Sequence, residues 1–483
     1  MSRLVMGPFN RVEGDLEVQI ETADGRVSSA WVNSPLYRGF EQILLGKAPE
    51  DALVYAPRVC GVCSISQSVA AAHALADAYG AETPPNGVHA INLIHANENL
   101  VDHLTHFYLF FMPDFAREEY AARPWHETVA QRFRAVHGSA AAEFLQARAE
   151  FMHLMGLLAG KWPHSLAIQP GGCTRAVTPR ERLHLGNIVG SFRRFLEKRV
   201  FGSPLEEIAA LDDIAALRRW QETHAPSRSD FACFLELADD TGLASLGRAA
   251  DRFMSYGSYR GPEGATHFAR GVWHDGRHSR LDIDGITEDV SHSWMAGETE
   301  PPARGLTQPD PERQDAYSWC KAPRLHGGTV EVGALARQVV DGQPLIRELV
   351  TESGGNVRNR VIARLLETAR VTLAMVAWID ALRPGEPFHV PTRSLAECAG
   401  VGLTEAARGS LGHWLTIEDG RIRNYQIISP TTWNFSPRDA NGRPGALEQA
   451  LENTPIDDDG ANQPIAVQHI VRSFDPCMVC TVH

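Results

Sequence analysis

The sequence predicts a helix-dominated α+β protein, in which β-hairpins lie at the periphery of a central bundle of long helices. Apolar residues at three-and-four spacing predict three long helices, over residues 63–79, 88–111 and 126–160. Further helices are expected near residues 180–200, 204–221, 356–384 and 464–474. Alternating apolar residues on either side of a turn predict hairpins over residues 15–33 and 412–429.

The segment from 256 to 328 differs from the rest of the chain in its many Gly, Pro, Trp and His residues. Short alternating stretches in it, such as Ser279 to Ile283, predict small strands inside long loops. The chain contains no internal repeat, low-complexity tract or convincing linker. One domain is therefore expected over residues 1–483.

The composition is that of a globular protein with a sizeable core, because 43% of the 483 residues are hydrophobic and 22% are charged. The net charge of -13 argues against binding to nucleic acid or to an anionic membrane surface. No stretch approaches the ~18 uncharged apolar residues of a membrane span. The first residues lack the features of a secretory signal, so a cytoplasmic location is expected unless a partner carries the chain elsewhere.

The eight cysteines include two Cys-x-x-Cys pairs, Cys60 with Cys63 and Cys477 with Cys480. In a reducing compartment such pairs indicate metal binding rather than disulfides, and structural zinc is the simplest alternative. Zinc ribbons usually separate their pairs by roughly 15 to 20 residues, whereas these pairs bracket nearly the whole chain. One shared site would require the two ends of the chain to meet inside the fold, and soft thiolates also suit nickel and iron.

The other four cysteines are scattered singly and are expected to be small buried hydrophobic residues: Cys173, Cys233, Cys320 and Cys398. An iron-sulfur cluster needs about four cysteines in grouped spacing, which this chain does not offer. Any such cluster would have to belong to a partner.

The segments RVCGVC at 58–63 and DPCMVCTVH at 475–483 resemble the paired signatures of nickel-iron hydrogenase large subunits. Five further segments resemble that family in the same order: NRVEG at 10–14, YRGFE at 37–41, LVDHLTHFY at 100–108, ARGSLGHW at 407–414 and NYQIISPTTWN at 424–434. The resemblance spans the chain and implies the large-subunit fold of that family.

By this resemblance Cys60 and Cys477 are terminal ligands of nickel. Cys63 and Cys480 bridge nickel to an iron that carries two cyanides and one carbon monoxide, a Ni-Fe(CN)2(CO) centre. Hydrogen would bind between the metals and split into a hydride and a proton, for which a cysteine thiolate is a reasonable first acceptor.

Glu13 matches the glutamate that the family places beside the terminal cysteine of the second pair, which implies a proton gate next to Cys477. A surface salt bridge in a hairpin is the alternative. Arg408 matches the arginine over the open metal face, accompanied by Asp102 and Asp475, and a buried structural ion pair is the alternative there.

The resemblance singles out two further positions, Ala407 and Thr431. Ala407 stands where the family commonly has proline, which leaves the local rigidity of Arg408 in doubt. Thr431 would donate a hydrogen bond to a cyanide on iron.

A magnesium ion, Mg2+, is implied near the site, with Glu41, His483 and the backbone carbonyl of Ile427 as its ligands. The histidines His95, His103 and His106 are expected to be core or interface residues rather than metal ligands.

Three functions are compatible with the resemblance: an uptake hydrogenase, a hydrogen-sensing regulatory hydrogenase, and a non-catalytic relative resembling a quinone-oxidoreductase subunit. The four paired cysteines count against the third function. Gln67 favours the sensor, because sensors resemble this chain in having glutamine where the usual enzyme has a protonatable histidine. The end of the sequence at His483 points the same way, since catalytic relatives generally carry a removable extension.

The expected function is therefore H2 sensing with low turnover, and respiratory H2 oxidation by a cytoplasmic or membrane-attached uptake enzyme is the alternative. Electrons must leave through a small subunit with iron-sulfur clusters, and maturation proteins must supply the metals. A sensor also needs a signalling partner, such as a histidine kinase. Phe110 lies where oxygen-resistant sensors resemble one another in carrying a bulky residue, whereas Val62 is smaller than their usual isoleucine.

Overall fold

Helices contain more residues than strands in the computed structural model, which describes residues 2–261, 264–456 and 464–483. The α-helices are α1 Phe40–Leu44, α2 Ala52–Tyr55, α3 Ser64–Tyr79, α4 Pro85–Thr105, α5 His126–Phe133, α6 Ser139–Phe151, α7 His153–Ala159, α8 Pro179–Phe195, α9 Leu205–Ala209, α10 Ile214–Thr223, α11 Asp230–Asp240, α12 Ala334–Asp341, α13 Pro344–Ser353, α14 Val357–Ala381, α15 Pro430–Asn434, α16 Ala446–Leu451, α17 Ile465–Phe474 and α18 Met478–Thr481. Two π-helical turns extend α4 and α8, over His106–Phe111 and Leu196–Phe201.

The strands form small antiparallel sheets. They are β1 Ser2–Met6, β2 Glu17–Ala23, β3 Arg26–Asn33, β4 Ile168–Gln169, β5 Gly172–Cys173, β6 Phe253–Arg260, β7 Thr266–His274, β8 Arg277–Ser279, β9 Ile286–Asp289, β10 Ala322–Leu325, β11 Cys398–Ala406, β12 Gly409–Glu418 and β13 Arg421–Ile428. Their sheet orders are β1-β2-β3, β4-β5, β6-β7-β8, β9-β10 and β11-β12-β13.

Most predicted elements are confirmed, among them α3, α4, α14, α17 and both hairpins. The prediction of one helix over 126–160 is wrong, because the chain turns back after α5. Val136 adopts a left-handed conformation with φ 68, and a Cβ at Gly138 would lie 2.6 Å from the Arg132 carbonyl oxygen. The single helix predicted over 204–221 is also divided, into α9 and α10. The strand expected at Ser279 to Ile283 is absent, since β8 ends at Ser279.

Each predicted hairpin gains a third strand that the sequence pattern did not reveal. β1 pairs with β2, and β11 pairs with β12. β11 packs closely on α3, where a Cβ at Gly402 would lie 1.9 Å from the Ala70 carbonyl oxygen and one at Gly400 2.1 Å from that of Ala74. Only glycine permits this contact, which fixes the helix that follows the first cysteine pair.

The two ends of the chain meet beside the core. Glu13 and Cys477 form a parallel bridge, in which the Met478 N–H donates to the Glu13 carbonyl at 2.7 Å and the Glu13 N–H donates to the Pro476 carbonyl at 3.3 Å. The helix α17, which leads into this region, packs against α14 and α16. Within the described ranges no helix is long and apolar enough to cross a bilayer.

Candidate metal centre

The four paired cysteines converge on one buried point. All four Sγ atoms lie within 4.8 Å of one another. The Sγ–Sγ distance is 3.5 Å from Cys60 to Cys477, 3.1 Å from Cys63 to Cys480 and 3.0 Å from Cys477 to Cys480. These are separate thiols, since the sulfurs of a disulfide lie ~2.05 Å apart. The arrangement offers four soft ligands from opposite ends of the chain, as one shared metal site requires.

The first pair lies at the start of α3. Cys63 occupies the N-cap position of that helix, and its side chain caps no backbone N–H. The N–H groups of Val62 and Cys63 point at the Cys60 sulfur, at 3.2 and 3.4 Å. Hydrogen bonds from the other three thiols lower the pKa of Cys60 well below its usual value. The pKa values of Cys63, Cys477 and Cys480 are raised instead, so Cys60 is the one thiol of the four that is held as a thiolate, the form that binds metals.

The second pair is held by the main chain and by threonine hydroxyls. The Cys477 N–H donates to Thr431 Oγ1 at 3.2 Å, and the Cys480 N–H donates to the Cys477 carbonyl at 2.9 Å. His483 Nδ1 lies 3.0 Å from the Cys480 carbonyl oxygen. Together with the bridge to Glu13, these bonds fix the last residues of the chain.

Arg408 is buried between two carboxylates. Its Nη2 lies 3.1 Å from Asp102 Oδ1 and 3.1 Å from Asp475 Oδ1, its Nη1 donates to Asp102 Oδ2, and its Nε donates to the Asp475 carbonyl at 2.8 Å. Burial opposes its charge, but the two carboxylates hold the pKa of Arg408 well above its usual range. Arg408 also lowers the pKa of Asp475 against the effect of burial.

Glu13 is linked to the centre by backbone hydrogen bonds and by the electrostatic interactions of its carboxyl. Burial raises the pKa of the half-buried Glu13 carboxyl, Arg408 opposes this rise, and Cys60 and Asp475 add to it. The Glu13 carboxyl therefore sits among the groups that surround the cysteines, and it holds a proton more tightly than a surface glutamate does.

Glu41 and His483 meet beside a cavity of about 20 Å³, which has room for one water or ion. Glu41 Oε1 accepts the Ile427 N–H at 2.7 Å and lies 3.3 Å from His483 Nε2. Its other oxygen accepts from Thr307 and lies 4.0 Å from Lys321 Nζ. Burial opposes ionisation, but Lys321 and His483 together lower the pKa of Glu41 to about 2.

Gln67 is fully buried on α3 next to the first pair. Its Oε1 lies 2.8 Å from His413 Nε2, and His413 Nδ1 lies 2.8 Å from the Tyr425 hydroxyl. Burial lowers the pKa of His413 to about 3, so this histidine is neutral. Gln67 Nε2 is buried without a hydrogen-bond partner in the described part of the chain. It is therefore a free donor inside the protein.

Ala407 is held by an arginine that the sequence did not single out. Arg337, 1% exposed, donates to the carbonyl oxygens of Ala406 and Ala407 at 2.8 and 3.1 Å. Glu367 and Glu405 in turn bind Arg337, at 2.7 and 2.9 Å. This buried network restrains the backbone before Arg408, where the family commonly has proline. No local sequence signal identified Arg337.

Lys321 and Glu288 were also missed, since they lie in the loop-rich segment that carries little periodic signal. Lys321 Nζ lies 3.3 Å from Glu288 Oε2 beside Glu41. Two predicted residues remain. Phe110 is partly buried in the π-helical turn after α4, and Val62 packs against the four cysteines.

The histidines that were expected in the core do lie there. His103 Nε2 lies 3.1 Å from Glu367 Oε1, His106 Nε2 lies 2.7 Å from the Arg472 carbonyl oxygen, and His95 Nε2 lies 3.1 Å from Ser66 Oγ. Three of the single cysteines are buried outside the cluster: Cys173, Cys233 and Cys320. Cys398 differs from its prediction, because it begins β11 at the surface and is only half-buried.

Comparison with known proteins gives full-length similarities. The periplasmic NiFeSe hydrogenase large subunit of Desulfomicrobium baculatum is 28% identical over 100% of this chain and 95% of that protein. The uptake hydrogenase large subunit of Rhodobacter capsulatus is 28% identical with the same coverage, 100% and 95%. A 1.50 Å structure of the Ni-Fe-Se hydrogenase from D. vulgaris Hildenborough superposes with a TM-score of 0.84 at 28% identity, over 100% of both chains.

A family model described as nickel-dependent hydrogenase matches residues 38–124 and 135–483. This match includes all four clustered cysteines, and the expected large-subunit fold is confirmed by the structural similarity. Because the match covers most of the chain, this protein belongs to the nickel-dependent hydrogenase family, of which it is a large subunit.

Proposed function

We propose that this chain holds one nickel and one iron on Cys60, Cys63, Cys477 and Cys480 and cleaves H2 heterolytically there. The observation that carries the proposal is the convergence of four buried Sγ atoms within 4.8 Å from opposite ends of the chain. When bound, the metal pair supplies the electrophilic site at which H2 is polarised. By the family resemblance, Cys63 and Cys480, whose sulfurs lie 3.1 Å apart, would be the residues that both metals share.

Glu13 carries the proton away in this proposal. Its main chain is bonded to the residues on either side of Cys477, and its carboxyl interacts electrostatically with Arg408 and Cys60, so it is anchored at the centre. A raised pKa brings the carboxyl closer to the working pH, which is the condition for an efficient proton relay.

Arg408 keeps a fixed positive charge over the centre. Because both Asp102 and Asp475 bind its guanidinium, it stays buried and does not swing to solvent. A preorganised charge of this kind stabilises developing negative charge without reorganisation. Thr431 accepts the Cys477 N–H through its hydroxyl oxygen, which leaves its proton free to donate to a cyanide on iron.

A magnesium ion is proposed for the cavity beside Glu41 and His483, with the Ile427 carbonyl as a third ligand. An ionised buried carboxylate next to a water-sized space supports this assignment. Lys321 already neutralises part of the negative charge of Glu41 and Glu288, so waters are expected to complete the coordination shell. Elemental analysis that finds no magnesium in the purified protein would contradict this assignment.

The partners follow from the chemistry of electron transfer. Among the residues that the structure describes, the cysteines outside the centre do not gather into a metal-binding group. A small subunit with iron-sulfur clusters is proposed as the electron acceptor. Maturation proteins are proposed as the source of nickel and of the iron ligands. Cytoplasmic location is likewise an expectation that cell fractionation tests, and one similar protein is named periplasmic.

We further propose a hydrogen-sensing role, which rests on Gln67. This amide cannot take up a proton near neutral pH, and its Oε1 faces a neutral His413. Gln67 lies one helical turn after Cys63, whose carbonyl accepts the Gln67 N–H at 3.1 Å, so the side chain at this position is neutral and does not titrate. The second candidate is an uptake enzyme, which is favoured by the name of the similar Rhodobacter capsulatus protein.

The test is H2 oxidation by the purified complex with an artificial acceptor, under argon and then in air. A sensor is expected to turn over slowly and to persist in air, and Phe110→Leu with Val62→Ala should shorten that persistence by widening the gas path. Fast turnover with rapid inactivation of the unmodified protein would assign it to uptake. Loss of all activity in Cys480→Ser is the control for the centre itself.

A further inference from the structure

The start of α3 has a feature that the proposed function does not use. Cys63 stands at the N-cap of α3, where Ser, Thr, Asp or Asn usually accepts a backbone N–H of the first turn. The Cys63 sulfur instead faces Cys480, 3.1 Å away, so it leaves these N–H groups unsatisfied. A buried helix start without a partner is costly, and another group must therefore supply the cap.

That group is Glu98, which belongs to α4 and is 2% exposed. Its Oε2 accepts the Ile65 N–H at 2.9 Å, and its Oε1 accepts the Ser66 N–H at 2.9 Å. The hydroxyls of Ser64 and Ser66 lie 3.4 and 3.2 Å from the same carboxyl. The carboxyl of one helix thus caps the first turn of another.

Glu98 also binds the loop that follows α7. Trp162 Nε1 donates to Glu98 Oε2 at 2.9 Å, and the backbone N–H of His164 donates to Ser64 Oγ at 3.3 Å. His164 Nδ1 lies 2.9 Å from the Pro57 carbonyl oxygen, just before Cys60. One carboxyl therefore joins α3, α4 and this loop around the first cysteine pair.

We propose that Glu98 is a positioning residue for the metal centre, which caps α3 in place of Cys63 and so frees that cysteine to bridge the two metals. The inference rests on the proposed function, because it takes Cys63 as a bridging ligand. In the part of the chain that the structure describes, Glu98 forms no hydrogen bond with the four cysteine sulfurs, although burial and the charge of Cys60 both raise its pKa. We infer that it acts on the centre through the first turn of the helix that begins at Ser64.

The chain provides a matched control in Glu448. This fully buried carboxyl also caps a helix, since it accepts the Gly445 N–H at 3.1 Å at the start of α16 and the Val32 N–H at 3.0 Å. The two carboxyls are comparable in burial, at 2% and 0% exposed, and burial raises the pKa of Glu98 to about 7 and that of Glu448 to about 6. The helix α16 carries no ligand of the centre.

The test replaces each carboxyl by the amide of the same size, Glu98→Gln and Glu448→Gln, in the complete complex. The amide nitrogen of the first variant would face N–H donors instead of accepting from them. We expect Glu98→Gln to shift the infrared bands of the iron-bound carbon monoxide and cyanide by several wavenumbers. Loss of a cap is also expected to release nickel to a chelator about fivefold faster. Glu448→Gln should shift no band.

Unshifted bands and unchanged nickel release in Glu98→Gln would overturn the inference, as would equal band shifts in both variants. If Glu98→Gln does not fold, the same infrared bands are measured in Trp162→Phe. This variant removes one hydrogen-bond donor to Glu98 and keeps an aromatic ring. A smaller shift in the same bands supports the inference, and unchanged bands overturn it. Absence of these bands in the unmodified protein would instead contradict the proposed function.

Discussion

The two cysteine pairs have the same spacing, but the fold holds them by different means. The C-terminal pair is fixed mainly by its backbone, through the bridge between Glu13 and Cys477 and the bond from Cys477 to Thr431. The N-terminal pair depends on a remote side chain, because Glu98 on α4 caps the helix that begins after Cys63. Side-chain substitutions should therefore affect the first pair more than the second, unless they remove a ligand.

Removal of a bridging ligand should have the largest effect, and the loss of nickel should be the same whichever pair is changed. Either Cys63→Ser or Cys480→Ser should lose essentially all nickel, since one shared site fails when either half fails. The measurement is the metal content of the purified protein. Cys398→Ser is the control, because Cys398 is half-exposed and outside the cluster, and it should keep full metal content.

If one bridging variant kept its nickel, the two pairs would have to bind metals separately. That result would contradict convergence on one site.

Substitution of the Glu13 side chain should impair catalysis without affecting metal binding. Its bonds to the second pair run through the main chain, so Glu13→Gln is expected to retain the metals. Hydrogen/deuterium exchange should fall by about 100-fold or more, since an amide cannot relay a proton. The exposed Glu17→Gln is the control. Exchange at the normal rate in Glu13→Gln would exclude Glu13 from the proton path.

Thr431 should give the smallest effect of the set. Thr431→Val removes the hydroxyl that accepts the Cys477 N–H, which is expected to cost about 1 kcal/mol of stability. Thr431→Ser keeps the hydroxyl and should behave like the unmodified protein. Denaturant unfolding measures the loss, and the cyanide bands should move only in the valine variant. An identical unfolding midpoint in both variants would count against this contact.

Sequence reasoning identified the four cysteines that cluster in the structure, because their spacing and their neighbours form recognisable segments. It also placed α3 and α14 closely, since their apolar periodicity is uninterrupted. It failed over 126–160, although Gly138 was visible, because apolar periodicity on both sides of the turn hid the reversal.

The sequence did not reveal Glu98, Arg337 or Lys321. Each of them acts on a segment far away in the chain: Glu98 on α3, Arg337 on the backbone at Ala407, and Lys321 on Glu41. Their local patterns are those of ordinary helix and loop residues. Such tertiary roles depend on packing, which periodicity and spacing do not encode.

The most direct test of the shared centre is a metal count on the purified, intact complex, with the large subunit separated before analysis. One nickel and one iron per chain are predicted, because four thiolates from both ends of the chain converge on one buried point. Two equivalents of zinc per chain with no nickel would contradict the account.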